Sequence, residues 1–145
     1  TRFALVRGLG DVYKSQVLEY VNSSIGEVKK NPRVTFCVSE GCYQSFGFRA
    51  PAKATTVGVS GIVVSPRGWA EHYLRHEMIH HLQSERLGVI GQLRSPEWFK
   101  EGMAYSLSGQ PRDAIHEPWK SYASQFDEWY QQIGPEHLWE EAARL

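Results

Sequence analysis

The chain has 145 residues, with 16 Lys and Arg against 16 Asp and Glu, so its formal net charge is zero. That length suits one domain with its own hydrophobic core, and the balanced charge gives no reason to expect nucleic acid or an anionic membrane surface as a partner. No apolar run approaches the roughly 18 residues that a membrane-spanning helix needs.

The chain starts at Thr1 with no initiator Met, which suggests a processed or excised chain. Arg2 to Val6 reads as a short strand and Gly8-Leu9-Gly10 as a break. Asp11 then caps a helix of about 14 residues ending near Gly26, with Val17, Leu18, Val21 and Ile25 at helical spacing. Arg33 to Val38 is β-rich, and the aromatic stretch Tyr43 to Phe48 suits a return strand. Cys37 and Cys42 flank a plausible turn, Val38-Ser39-Glu40-Gly41. They fit either a disulfide across a hairpin or two reduced thiols; the processed start tips the reading to the disulfide and to an exported, periplasmic or secreted protein. Thr55 to Ser65 reads as strand, bulge or bend at Gly58 to Gly61, then strand again at Ile62-Val63-Val64. A long helix runs from about Trp69 to Leu87, where Gly88 stops it. A second helix starts at Ser95 as N-cap with Pro96 at its first position and ends near Gly109. Trp119 to Gln132 is a third, with Trp119, Tyr122, Phe126, Trp129 and Ile133 as a core-facing stripe. Gly134-Pro135 starts a last short helix with Leu138, Ala142 and Leu145.

The chemistry concentrates in the long helix, in His76-Glu77-Met78-Ile79-His80. Residues four apart share a helix face, so the two imidazoles can hold one tetrahedral metal ion. Glu77 is turned about 100° from His76, beside the metal rather than under it, where it can take a proton from the attacking water. His81 is turned about 140° from His76 and cannot join them; His72 reads as a surface or supporting residue. Trp69, Tyr73 and Gln83 share the histidine side. The alternative is a surface helix that happens to carry histidines, and a third ligand separates the two readings.

That ligand is expected to be Glu101, 21 residues after His80 on the second helix, where Trp98, Glu101 and Tyr105 share a face. Taken alone Glu101 reads as a solvated helix charge. Gly102 beside it costs about 1 kcal/mol against Ala inside a helix, which suggests close approach to the first helix and a carboxylate brought to the metal.

His-Glu-x-x-His followed by Pro96-x-Trp98-Phe99-x-Glu101-Gly102-x-Ala104 resembles the gluzincin metallopeptidases, the thermolysin-like and aminopeptidase-like superfamily. The resemblance is strongest over residues 55–108. It implies His76, His80 and Glu101 as zinc ligands and Glu77 as general base. It also implies that the glycine-broken strand, through Val59, Gly61 and Ile62, is an edge that pairs with extended substrate; the plain alternative is an ordinary edge strand with a bulge. A tyrosine or histidine on the helix after the glutamate helix can stabilise the oxyanion in such proteins. Tyr122 is the first candidate, His116 and Tyr105 the others, with core packing as the alternative role for Tyr122.

The expectation is therefore one α+β, zincin-like domain over residues 1–145. Residues 1–67 form a small mixed β-sheet with a packed helix, residues 68–145 are helical, and the active-site cleft with its Zn2+ lies between them. The expected activity is zinc-dependent hydrolysis of peptides or proteins. The rivals are a catalytically weak zinc-binding or interaction domain that keeps the gluzincin fold, and a helical domain with no metal.

Overall fold

The computed structural model describes the backbone of residues 2–145 and the side chains from Gly8 onward. Its elements are α1 (Arg2–Ser24), β1 (Arg33–Phe36), α2 (Glu40–Ser45), β2 (Ala54–Val57), β3 (Gly61–Val64), α3 (Glu71–Leu87), α4 (Val89–Arg94), α5 (Glu97–Leu107), α6 (Trp119–Ile133) and α7 (Leu138–Ala142). Short 3-10 turns sit at Arg112–Ala114 and Pro135–His137. The class is α+β: among the described residues, one three-stranded mixed sheet and seven α-helices.

The sheet order is β1-β3-β2, with β1 parallel and β2 antiparallel to the central β3. The expected strand, bend, strand over Thr55 to Ser65 is a hairpin, with Gly58 at φ 52 in its turn, a conformation that favours glycine.

α3 is the spine of the molecule. Leu74, Met78 and Leu82 bury one side of it against Val17 and Val21 of α1 and Ile62 and Val64 of β3. Ile79 reaches a second core, made with Phe99 and Met103 of α5, Phe126 of α6 and Leu138 of α7. With both apolar sides taken, the histidine side is left to face a cleft. Gly88 ends the helix at φ 75, as its place after Leu87 predicts.

Several expectations fail for tertiary reasons. Arg2 to Val6 is the first part of α1, not a strand, and Gly8 and Gly10 lie inside that helix. Each glycine costs about 1 kcal/mol there; at Gly10 a Cβ would lie 2.9 Å from the Phe36 ring, so the missing side chain lets α1 settle on β1. Tyr43 to Phe48 is no return strand. Ser39 accepts a hydrogen bond from the Cys42 amide at 3.1 Å and caps α2, while Tyr43 is buried and its hydroxyl meets Thr55 Oγ1 at 2.7 Å. The Cys37–Cys42 disulfide is formed, with Cα atoms 5.5 Å apart, and ties the end of β1 to the first turn of α2 rather than closing a hairpin.

Ser95 does not cap α5. Its hydroxyl donates to the Gly91 carbonyl at 2.9 Å and closes α4, a helix the sequence reading leaves out, and Pro96 takes the N-cap position of α5. Gly102 does make a close approach, but to α6: a Cβ there would run into the Tyr122 carbonyl oxygen. On α6 only Phe126 of the expected stripe is fully buried; Trp129 packs on Trp98 and Phe99, and Trp119 is 39% exposed. Leu138 and Ala142 are buried as expected, and Leu145 is exposed.

Candidate metal centre

α3 presents His76 and His80 one turn apart, and α5 brings Glu101 against them. The two Nε2 atoms are 3.1 Å apart, His76 Nε2 lies 3.4 Å from Glu101 Oε2, and His80 Nε2 lies 3.5 Å from Glu101 Oε1. Ligands at about 2.0–2.1 Å from a tetrahedral ion stand about 3.3 Å from one another. The separation of the two imidazole nitrogens and the approach of each to one of the two Glu101 oxygens are of that size, and one donor atom from each residue lies within 4.8 Å of the others. These three residues form the one group of His, Cys, Asp and Glu among the described residues whose donor atoms converge in this way.

The charges fit a cation as well. Two neutral Nε2 lone pairs facing each other at 3.1 Å repel, and a proton or metal ion between them removes the conflict. Burial opposes a charged His80, but the hydrogen bond to Glu101 and the charges of Glu77 and Glu101 outweigh it and lift its pKa to about 9. Burial likewise favours a neutral Glu101, yet the hydrogen bonds from His76 and His80 hold its carboxyl well below the usual range. The Glu101 carboxylate therefore favours a positive charge on the imidazoles beside it.

A supporting layer fixes the donors. His80 Nδ1 donates to Gln83 Oε1 at 3.0 Å, which leaves the Nε2 lone pair turned to the site. Gln83 is fully buried, and its amide nitrogen donates to the Lys100 carbonyl at 3.0 Å, which sets the side chain's orientation. Gln83→Leu is expected to keep the fold by circular dichroism but weaken zinc binding by about 10- to 100-fold in a chelator competition. Gln83→Glu restores an acceptor and should recover the affinity. Equal affinity in the Leu variant would remove Gln83 from the site.

Glu77 stands apart from the triangle, as its rotation on the helix predicts. Its Oε2 accepts from Thr56 Oγ1 at 2.5 Å, and the same hydroxyl lies 2.9 Å from the Glu77 carbonyl oxygen. The carboxylate thus opens into the cleft with its rotamer held by β2. Thr56 is a residue the sequence reading misses; the signal is a polar position in the first strand of the hairpin that precedes α3.

The cleft has a volume of about 950 Å³ and is walled by the 49–58 segment on one side and by α3, α4, α5 and the start of α6 on the other. Val59, Gly61 and Ile62 do not line it. Ile62 is fully buried and Gly61 stands opposite Arg33, because β3 is the central strand of the sheet. The edge beside the cleft is β2. The Lys53 carbonyl accepts from the Ser65 amide, so by antiparallel alternation Thr55 also bonds to β3 and the backbone groups of Ala54 and Thr56 face the free edge.

Tyr122 is not in the cleft wall either, whereas Tyr105, His116 and Tyr73 are. The Tyr105 ring packs edge-on against His76, with centroids 4.5 Å apart. Burial, then the negative charges of Glu101 and Glu77, push its hydroxyl pKa up to about 12, so Tyr105 remains a hydrogen-bond donor at neutral pH. Of the other histidines, His72 packs on Tyr73 at 4.2 Å outside the triangle. His81 is buried on the far side of α3, with Nε2 at 2.5 Å from the Lys30 carbonyl oxygen and 2.9 Å from Glu85. Trp69, expected on the histidine side, packs into the sheet core against Phe36.

No protein family matches the chain, and no curated protein and no solved structure matches it.

Proposed function

We propose that this chain is a zinc-dependent peptidase of the gluzincin type, with zinc held by His76, His80 and Glu101. The observation that carries the reading is the donor triangle with a separate carboxylate, Glu77, beside it at the free edge of a sheet. Two imidazoles and a carboxylate are a donor set that suits zinc and leaves one position open. The Cys37–Cys42 bond fits an oxidising compartment, and so an exported protein.

Zinc, when bound, supplies Lewis acidity toward the scissile carbonyl and the attacking water. The chain's own residues do the rest. Ala54 and Thr56 offer backbone hydrogen bonds that hold a peptide extended along β2. Glu77 takes a proton from the water as its oxygen bonds to the carbonyl carbon. The same proton passes to the amide nitrogen as the C–N bond breaks, and the released amine takes the second water proton from the new carboxyl group, giving a carboxylate and an ammonium. Thr56 holds the Glu77 carboxylate where both transfers can occur. Tyr105 donates its hydroxyl hydrogen to the carbonyl oxygen as negative charge develops there.

The test is a digest of a diverse library of internally quenched peptides. Cleavage that a chelator abolishes and stoichiometric zinc restores supports the reading; a zinc-loaded protein that cleaves nothing overturns it. Tyr105→Phe is expected to lower kcat by about one to three orders of magnitude with zinc content unchanged, as for one lost oxyanion donor. Tyr122→Phe, outside the cleft, should stay near wild type. The reverse pattern would return the oxyanion role to Tyr122.

A further inference from the structure

The cleft has two chemically different ends, and they lie at opposite ends of β2. Lys53 precedes that strand and Gly58 follows it, about 16 Å further on at the usual rise per strand residue. α3 runs alongside in the same sense. Gly68, just before α3, lies against the Lys53 carbonyl, whereas Gly58 faces Val89, just after α3. The metal centre and Glu77 sit between these ends.

The first end is basic. Arg49 and Lys53 both line the cleft. Neither forms an ion pair among the described residues, and the neighbouring carboxylate of Glu40 is taken by Arg67 at 2.7 Å. The second end is apolar. Val89 and Leu93, one turn apart on α4, line the cleft at 42% and 66% exposure. Glu97 and Lys100, which also reach this wall, neutralise each other at 2.6 Å. One exposed leucine on a surface means little; large aliphatic side chains gathered on the rim of a cleft leave apolar area for a ligand to cover.

We propose that the cleft takes an extended peptide with a large apolar side chain at the α4 end and an acidic side chain at the Arg49–Lys53 end, the cleaved bond lying between them. The proposal rests on the peptidase reading above, and it names the substrate class. Charge complementarity sets the choice at one end and removal of aliphatic surface from water at the other.

The experiment uses quenched octapeptides in an Ala/Gly background, with Leu, Asp or Lys at the third residue on either side of the central bond, five strand steps or about 16 Å apart, in both orders. Peptides pairing Leu with Asp should exceed those pairing Leu with Lys, or Asp with Asp, by at least about tenfold in kcat/KM. Reversing the charge with Arg49→Glu and Lys53→Glu together should invert the choice to Lys over Asp. Leu93→Lys should abolish the preference for Leu and leave that for Asp. Zinc content is measured for every variant to establish an intact site. Wild-type cleavage with no Leu or Asp preference, or an Asp preference that survives the charge reversal, overturns the proposal and leaves the peptidase reading standing. If nothing is cleaved, anisotropy of the same peptides, fluorescein-labelled, on zinc-loaded Glu77→Gln protein decides. Tighter binding of the Leu–Asp peptides supports the cleft assignment and overturns only the peptidase reading; binding that ignores sequence overturns the cleft assignment too.

Discussion

His76→Ala and His80→Ala are each expected to reduce bound zinc from one per chain to nearly none, measured by mass spectrometry on protein dialysed against a weak chelator. Either change leaves two donors where a closed set needs three. The stability consequence follows from linkage: at a thousandfold excess over Kd, a ligand that binds only the folded state adds about 4 kcal/mol. For a domain of this length its loss lowers Tm by roughly 10–15 °C. Metal-free wild type should melt close to the variants, so most of the difference must disappear in chelator.

The same centre predicts a pH dependence. Zinc must displace the proton that His80 holds with a pKa of about 9, so affinity should climb with pH through neutrality and level off near pH 9. The metal-free protein runs the other way. A folded-state pKa raised above the ordinary 6.5 adds stability below that pH, and the gain is lost as pH rises through about 9. Glu101→Ala should remove both effects together, because Glu101 is the main partner that holds the imidazolium. Zinc content equal to wild type in both histidine variants would sink the assignment.

The metal helix was legible because its information is local. The His76 and His80 spacing, the apolar positions at Leu74, Met78 and Leu82, and the stop at Gly88 all follow from helical periodicity. Glu101 was reachable from the second helix and the need for a third donor. What the sequence hides is which strand ends up on the edge of the sheet. β2 and β3 carry similar β-rich residues, and only the parallel pairing of β1 with β3 makes β3 central and β2 the strand at the cleft. The misplacement of Val59, Gly61 and Ile62 follows from that one fact. Gly102 gave a true signal of close approach with the wrong partner, since a missing Cβ says that something is near and not what. Gln83 was placed on the correct side by rotation alone, but its bond to the Lys100 carbonyl depends on how α5 docks on α3. Tyr122 and Tyr105 both lie on helices near the site, and the docking of α6 against Gly102 turns Tyr122 away from the cleft.

Glu77→Gln is expected to hold zinc and melt within about a degree or two of wild type, while peptide hydrolysis falls by at least about two orders of magnitude. The carboxylate is not one of the three converging donors, so replacing it leaves the metal set intact. Its one hydrogen-bond donor among the described residues, Thr56 Oγ1, finds an equivalent acceptor in the Gln oxygen, so the rotamer and the β2 contact are kept. What disappears is basicity, because a carboxamide takes no proton at neutral pH. The loss belongs in kcat, since peptide binding along β2 and at the two cleft ends does not use the Glu77 charge as a contact. Thr56→Val supplies the control. It frees the Glu77 carboxylate without removing it, and turnover should fall by a smaller factor, about tenfold, with zinc retained. If Glu77→Gln cleaves peptide at the wild-type rate, Glu77 is not the base. If Thr56→Val is as damaging as Glu77→Gln, the hydroxyl has a part in the chemistry itself and not only in holding the carboxylate.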